Sequence, residues 1–173
     1  MAAPSERVWE AILAADLGAS PLASALLALR GFGGRLRRSP RATFPERLER
    51  FGFTKLREVT GQELVFGLAG RFWRPSGGLR PIADAPAFDE FAEEGCVKAA
   101  WNLSVRGTAV GSTEISTETR IVFFGEDARR KFRAYWALVG PFSGLTRRAL
   151  LRDVARRAER SDGVPTPGRT SCR

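Results

Sequence analysis

The chain has 173 residues, 43% of them hydrophobic, a net charge of +9 and no histidine, which fits one domain with a substantial core and excludes global disorder. His-activated nucleophiles, His general acid–base catalysis and His-ligated metals are excluded, and Cys96 and Cys172, far apart, suit neither a zinc site nor a structural disulfide, so no metal or cofactor is expected. No apolar run reaches the roughly 20 residues of a membrane span and no secretory signal opens the chain, so a cytoplasmic location is expected.

In chain order, Pro4-Ser5 introduces a helix with Ser5 as N-cap and Val8, Trp9, Ile12 and Leu13 as its apolar stripe, ending near Leu17-Gly18. A second helix opens at Ser20-Pro21, carries Leu22, Leu26 and Leu29 on one face and stops at Gly31. Residues 31–45, rich in glycine and arginine, read as a mobile surface loop, and 45–51 as a helical turn. Residues 53–59 and 63–73 read as a hairpin around Thr60-Gly61. In its second strand Leu64, Phe66, Leu68 and Phe72 share one face and Glu63, Val65, Gly67, Ala69, Arg71 and Trp73 the other, and Gly67 and Gly70 would let it bend or let another backbone approach it, with curvature the preferred reason. A loop over 75–86 and a short helix or turn over 87–94 follow.

Residues 96–106 alternate most clearly, with Val97, Ala99, Trp101, Leu103 and Val105 against Lys98, Asn102, Ser104 and Arg106. Residues 112–124 place Ile115, Thr117, Thr119, Ile121 and Phe123 opposite Glu114, Ser116, Glu118, Arg120 and Val122. From 126 to 158 the spacing turns helical, through Ala128, Phe132, Tyr135, Trp136 and Val139, then Leu145, Ala149, Leu150, Val154 and Ala158. Gly140-Pro141 interrupts it, giving one bent helix or two joined at a proline. Residues 161–173 lack periodicity and are expected to be a disordered tail after a single domain over 1–160.

From Glu126 onward 12 basic and 5 acidic residues leave +7 of the charge in the last helix and tail. Such a concentration could attract nucleic acid, an anionic membrane or an acidic partner. No nucleic-acid motif accompanies it, so a solvated helix face is the preferred reading and nucleic acid is disfavoured.

The element order predicts an α+β fold: a curved antiparallel sheet wrapped around a long C-terminal helix, with two short N-terminal helices. Ala3-Pro4-Ser5-Glu6-Arg7-Val8-Trp9 and the final helix resemble the SRPBCC or START-like helix-grip superfamily, which includes birch-pollen-allergen-like proteins and aromatic polyketide cyclases. Gly70-Arg71-Phe72-Trp73-Arg74-Pro75, Ser116-Thr117-Glu118-Thr119-Arg120 and Tyr135-Trp136 with Pro141-Phe142-Ser143-Gly144 and Arg147-Arg148 resemble an uncharacterised bacterial branch. The resemblance implies a helix-grip fold with a ligand-binding cavity rather than a particular reaction. Such proteins begin with a strand, whereas only residues 1–4 precede the first helix here. The first edge strand is therefore missing, or the start is truncated, and an exposed sheet edge could support a homo-oligomer.

A small hydrophobic or amphipathic ligand, lipid or polyketide-like, is expected between sheet and helix. Its lining would be Phe66, Trp73, Trp101, Leu103, Thr117, Thr119, Ile121, Phe132, Tyr135 and Trp136, although such aromatics equally make plain core. Catalytic candidates are confined to Glu118, Arg120, Arg71 and Glu63, a charged cluster that could handle protons in a cyclase or hydratase if it pointed inward. The apolar opposite parity favours an outward salt-bridge ladder instead. A third alternative is an interaction module using the basic helix face.

Overall fold

The computed structural model describes residues 2–15, 42–74, 78–108 and 111–160. The helix expected over 20–31, nearly all of the arginine-rich loop after it and the tail from 161 lie outside the described residues. The architecture is α+β: an open antiparallel sheet of five strands and a long C-terminal helix, a helix-grip-like arrangement.

Helix α1 (Ser5–Leu13) buries Val8, Trp9, Ala11 and Ile12. Its N-cap is Pro4, not Ser5. The proline already holds the extended geometry that the cap requires, and the Ser5 hydroxyl donates to Glu6 Oε1 at 3.3 Å. Helix α2 (Phe44–Arg50) opens with a complete capping box, in which the Thr43 backbone N–H donates to Glu46 Oε2 at 2.7 Å and Thr43 Oγ1 accepts from the Glu46 N–H. That cap aims Phe44 and Leu48 into the core.

Strand β1 (Thr54–Val59) pairs with β2 (Glu63–Gly70), β2 with β4 (Val97–Gly107), and β4 with β5 (Thr113–Phe123). The two-residue β3 (Leu79–Arg80) continues the β1 edge of β2. Helix α3 (Ala85–Glu90), capped by the Asp84 carboxylate accepting from the Ala87 N–H, lies on the outer face. There a Cβ at Gly67 would meet the Phe88 ring at 2.7 Å. Gly70, at φ +131°, sits so close to Gly78 and Leu79 that a side chain would overlap their backbone. Both glycines thus answer a close approach by a neighbour, the second of the two readings, rather than the preferred one of curvature; at Gly70 that neighbour is backbone, at Gly67 the Phe88 ring. Lys98 is covered as well, donating to the Phe88 and Asp89 carbonyls at 3.0 and 2.8 Å.

Helix α4 (Glu126–Arg160) runs unbroken through Pro141. Proline removes the bond to the Ala137 carbonyl, but both residues lie on the exposed side, where water replaces it. The inner stripe of α4 serves two cores. Ala128 and Phe132 pack with Leu68, Phe72 and Val97, whereas Leu150, Val154 and Ala158 join α1, Phe44, Leu64, Phe66, Trp101 and Leu103. No helix among the described residues is long and apolar enough to cross a membrane.

Candidate functional site

Strands β4 and β5 alternate as their sequence pattern predicts, and their register determines what the inner face offers. Trp101 stands opposite Thr119, and Leu103 opposite Thr117. The Trp101 Nε1–H reaches diagonally to donate to Thr117 Oγ1 at 2.6 Å, and that hydroxyl donates onward to the Asn102 carbonyl at 2.7 Å. Thr117 is therefore saturated. Thr119, the next inward residue, has a buried hydroxyl with no hydrogen-bond partner among the described residues. An unpartnered buried hydroxyl is destabilising, so its persistence at the middle of an inner face is a feature to explain.

The structure sorts the ten expected lining residues into two groups. Phe66, Leu103, Trp101 and Phe132 are buried. Trp101 is boxed by Phe44, Phe53 and Phe66 with ring centroids 6.0–6.3 Å away, and Phe132 stacks on Trp136 at 5.5 Å. These four are core first. Trp73, Thr117, Thr119, Ile121, Tyr135 and Trp136 are half-buried, the state that leaves surface for a guest. Thr117 and Thr119 lie at the junction between the cluster containing Trp101 and Leu103 and that containing Ile121, Tyr135 and Trp136.

Across from the sheet, α4 changes character midway. Its inward stripe steps in threes and fours through Phe132, Trp136, Val139, Ser143, Arg147, Leu150, Val154 and Ala158. Two of these, Ser143 and Arg147, are polar and half-buried. Burial pushes the Arg147 guanidinium below its ordinary range, with no charged neighbour opposing the shift, and the helix provides it with no ion pair. Their interest was visible in the sequence only as polar breaks in that stripe.

The four charged candidates do not reach this face. Glu118 and Arg120 pair with each other at 3.0 Å on the outer surface, where Arg120 is 80% exposed. Arg120 draws the Glu118 carboxyl below its usual range. Glu63 accepts from Asn102 Nδ2 at 3.1 Å on the same outer face. Arg71 is not in the strand, because β2 ends at Gly70 and the backbone turns there, so the expected shared face with Glu63 does not form. Arg71 instead lies 3.9 Å from Glu93, which forms a fork with Arg80 at 2.7 and 2.8 Å. The Arg80 fork holds the Glu93 carboxyl at about 2. Burial pushes the neighbouring Cys96 thiol up. Among the described residues no group of acidic residues and cysteines could hold a metal ion.

Comparison of the chain with protein-family models, with curated proteins and with solved structures finds no match in any of the three.

Proposed function

We propose that the chain is a cytoplasmic binding module of the helix-grip kind, accommodating a small apolar or amphipathic molecule between the inner sheet face and the middle of α4. The observation that carries this reading is the buried, unpartnered Thr119 hydroxyl at the boundary between two cores, and it is supported by the α4 stripe turning polar at Ser143 and Arg147 between the same two cores. Half-buried Ile121, Tyr135 and Trp136 supply apolar surface beside it, and burial of a ligand there contributes roughly 25 cal/mol per Å². The cyclase or hydratase alternative loses its proposed machinery, since Glu118, Arg120, Arg71 and Glu63 are turned away from that space. Native mass spectrometry of protein purified from its own host is expected to show one organic molecule per chain. A chain that carries none, and takes up no dansyl-labelled alkyl probe in a saturable one-to-one manner, refutes the reading.

A separate observation favours self-association. Among the described residues β5 is paired only on its β4 side. The Glu118 N–H points towards β4, donating to Asn102 Oδ1 at 2.8 Å, so Ile115, Thr117, Thr119, Ile121 and Phe123 turn their backbone polar groups to the open side. A second copy added antiparallel about Thr119 would set Glu118 against the partner's Arg120 twice over. Moving the centre by one residue in either direction would oppose like charges, Glu118 to Glu118 or Arg120 to Arg120. The edge thus favours one register.

A further inference from the structure

A half-buried cation without a counter-ion is unusual, because desolvating a guanidinium is repaid only by a partner of opposite charge or by several acceptors. Among the described residues eight arginine or lysine side chains form ion pairs with carboxylates on α4 or around the sheet, among them Arg80, Arg120 and Lys131. Arg147 forms none among the described residues, and burial lowers its basicity with no carboxylate opposing the shift. Its neighbours on the inward stripe are Ser143 one turn before it and Leu150 and Leu151 after it, none of which can balance a charge. Along α4 the side chain comes between the residues of one core and those of the other, and Thr119, with its buried unpartnered hydroxyl, stands on β5 at the boundary between the same two cores.

We infer that Arg147 holds the anionic head of the ligand, a carboxylate carried on an otherwise apolar molecule; this rests on the binding reading above and specifies its ligand class. A single guanidinium matches a monoanionic carboxylate, to which it can donate two parallel N–H bonds. The apolar body of such a ligand lies against the half-buried Ile121, Tyr135 and Trp136. A wholly apolar guest would desolvate the guanidinium further without pairing it, and is disfavoured for that reason.

The test compares dansyl-labelled undecanoic acid with its methyl ester by fluorescence titration, on the full chain and on Arg147→Gln and Arg147→Met. The native chain is expected to bind the acid about 10- to 100-fold more tightly than the ester, the worth of a charge-assisted bond in a shielded site, and both variants to bind the two probes alike. Ligand-free R147M is expected to melt higher than the native chain, because it exchanges an unpaired half-buried charge for an apolar group of similar length. Equal binding of acid and ester by the native chain overturns the anionic head while leaving the cavity standing. Failure of both probes to bind overturns both readings. A lower melting temperature for R147M and R147Q alike assigns Arg147 a structural role and overturns the inference.

Discussion

Thr117 and Thr119 are two residues apart on one strand face, so the same isosteric change at each isolates what their hydroxyls do. In Thr117→Val, the Trp101 Nε1–H loses its acceptor at 2.6 Å and the Asn102 carbonyl loses a donor at 2.7 Å. Trp101 is buried and enclosed by aromatic rings, so the stranded indole N–H cannot turn to water. The expected loss is about 1–3 kcal/mol. In Thr119→Val a hydroxyl that already lacks a partner is replaced by a methyl group, and the expected change is a gain of up to about 1 kcal/mol. For a chain of this size each kcal/mol moves the melting temperature by about 2–4 °C. Thermal and urea unfolding of the two variants should therefore shift in opposite directions. Thr119→Val should also weaken any ligand that its hydroxyl contacts, a trade of binding for stability. If both variants lose stability equally, the distinction between a saturated and an unsatisfied hydroxyl is wrong, and with it the main support for a ligand at this position.

Gly67→Ala should cost about 1–3 kcal/mol, since its Cβ would meet the Phe88 ring at 2.7 Å and Leu56 Cδ1 at 2.9 Å; an unchanged urea midpoint would show that α3 yields freely. The Glu93 carboxyl, held at about 2 by Arg80 against an ordinary 4.5, lies lower in the folded than in the unfolded state. Its contribution to stability is therefore present above the unfolded value and lost as pH falls towards 2. An NMR titration should find it ionised at pH 4, and Arg80→Gln should return it towards 4.5; a native midpoint near 4.5 would refute the fork. Oxidation of mixed Ser116→Cys and Val122→Cys chains, each also carrying Cys172→Ser, should yield a disulfide-linked dimer that neither chain forms alone. Sedimentation showing only monomer at about 0.1 mM would remove the edge pairing, whereas a dimer without the link would remove only the register.

What could be read from the residues followed from rules local to one element. Alternation over Val97–Gly107 and Thr113–Phe123 assigns every inward side chain correctly, because the period of a strand needs no tertiary information. The bond from Trp101 to Thr117 was out of reach, since it depends on how β4 and β5 are offset. Arg71 was misplaced for a different reason. One glycine at φ +131° ends the alternation, and glycine is the residue whose backbone a pattern constrains least. Phe44 fell in the surface loop expected over 31–45, yet its capping box delivers it against Trp101, which turns expected lining into core.

The long helix shows how one stripe can serve separate tasks. A helix that only sealed the sheet would carry apolar side chains at each inward step, and α4 does so at Ala128, Phe132 and Val139 and again at Leu150, Val154 and Ala158. It departs from that rule at Ser143 and Arg147, while Leu138 is 68% exposed on the opposite side, with Phe142 and Leu145 near it. Apolar residues are thus available in this part of the helix but stand on the solvent face, and polar ones occupy the interior. Exchanging the two, as in Arg147→Leu with Leu138→Arg, keeps composition and charge constant. The exchanged chain should unfold at a higher temperature than the native one, because the unpaired charge moves to water and an apolar side chain takes its place. Its preference for the dansyl-labelled acid over the ester should vanish at the same time. A lower melting temperature would mean that the polar middle of α4 contributes to folding itself, and the case for a site there would fail.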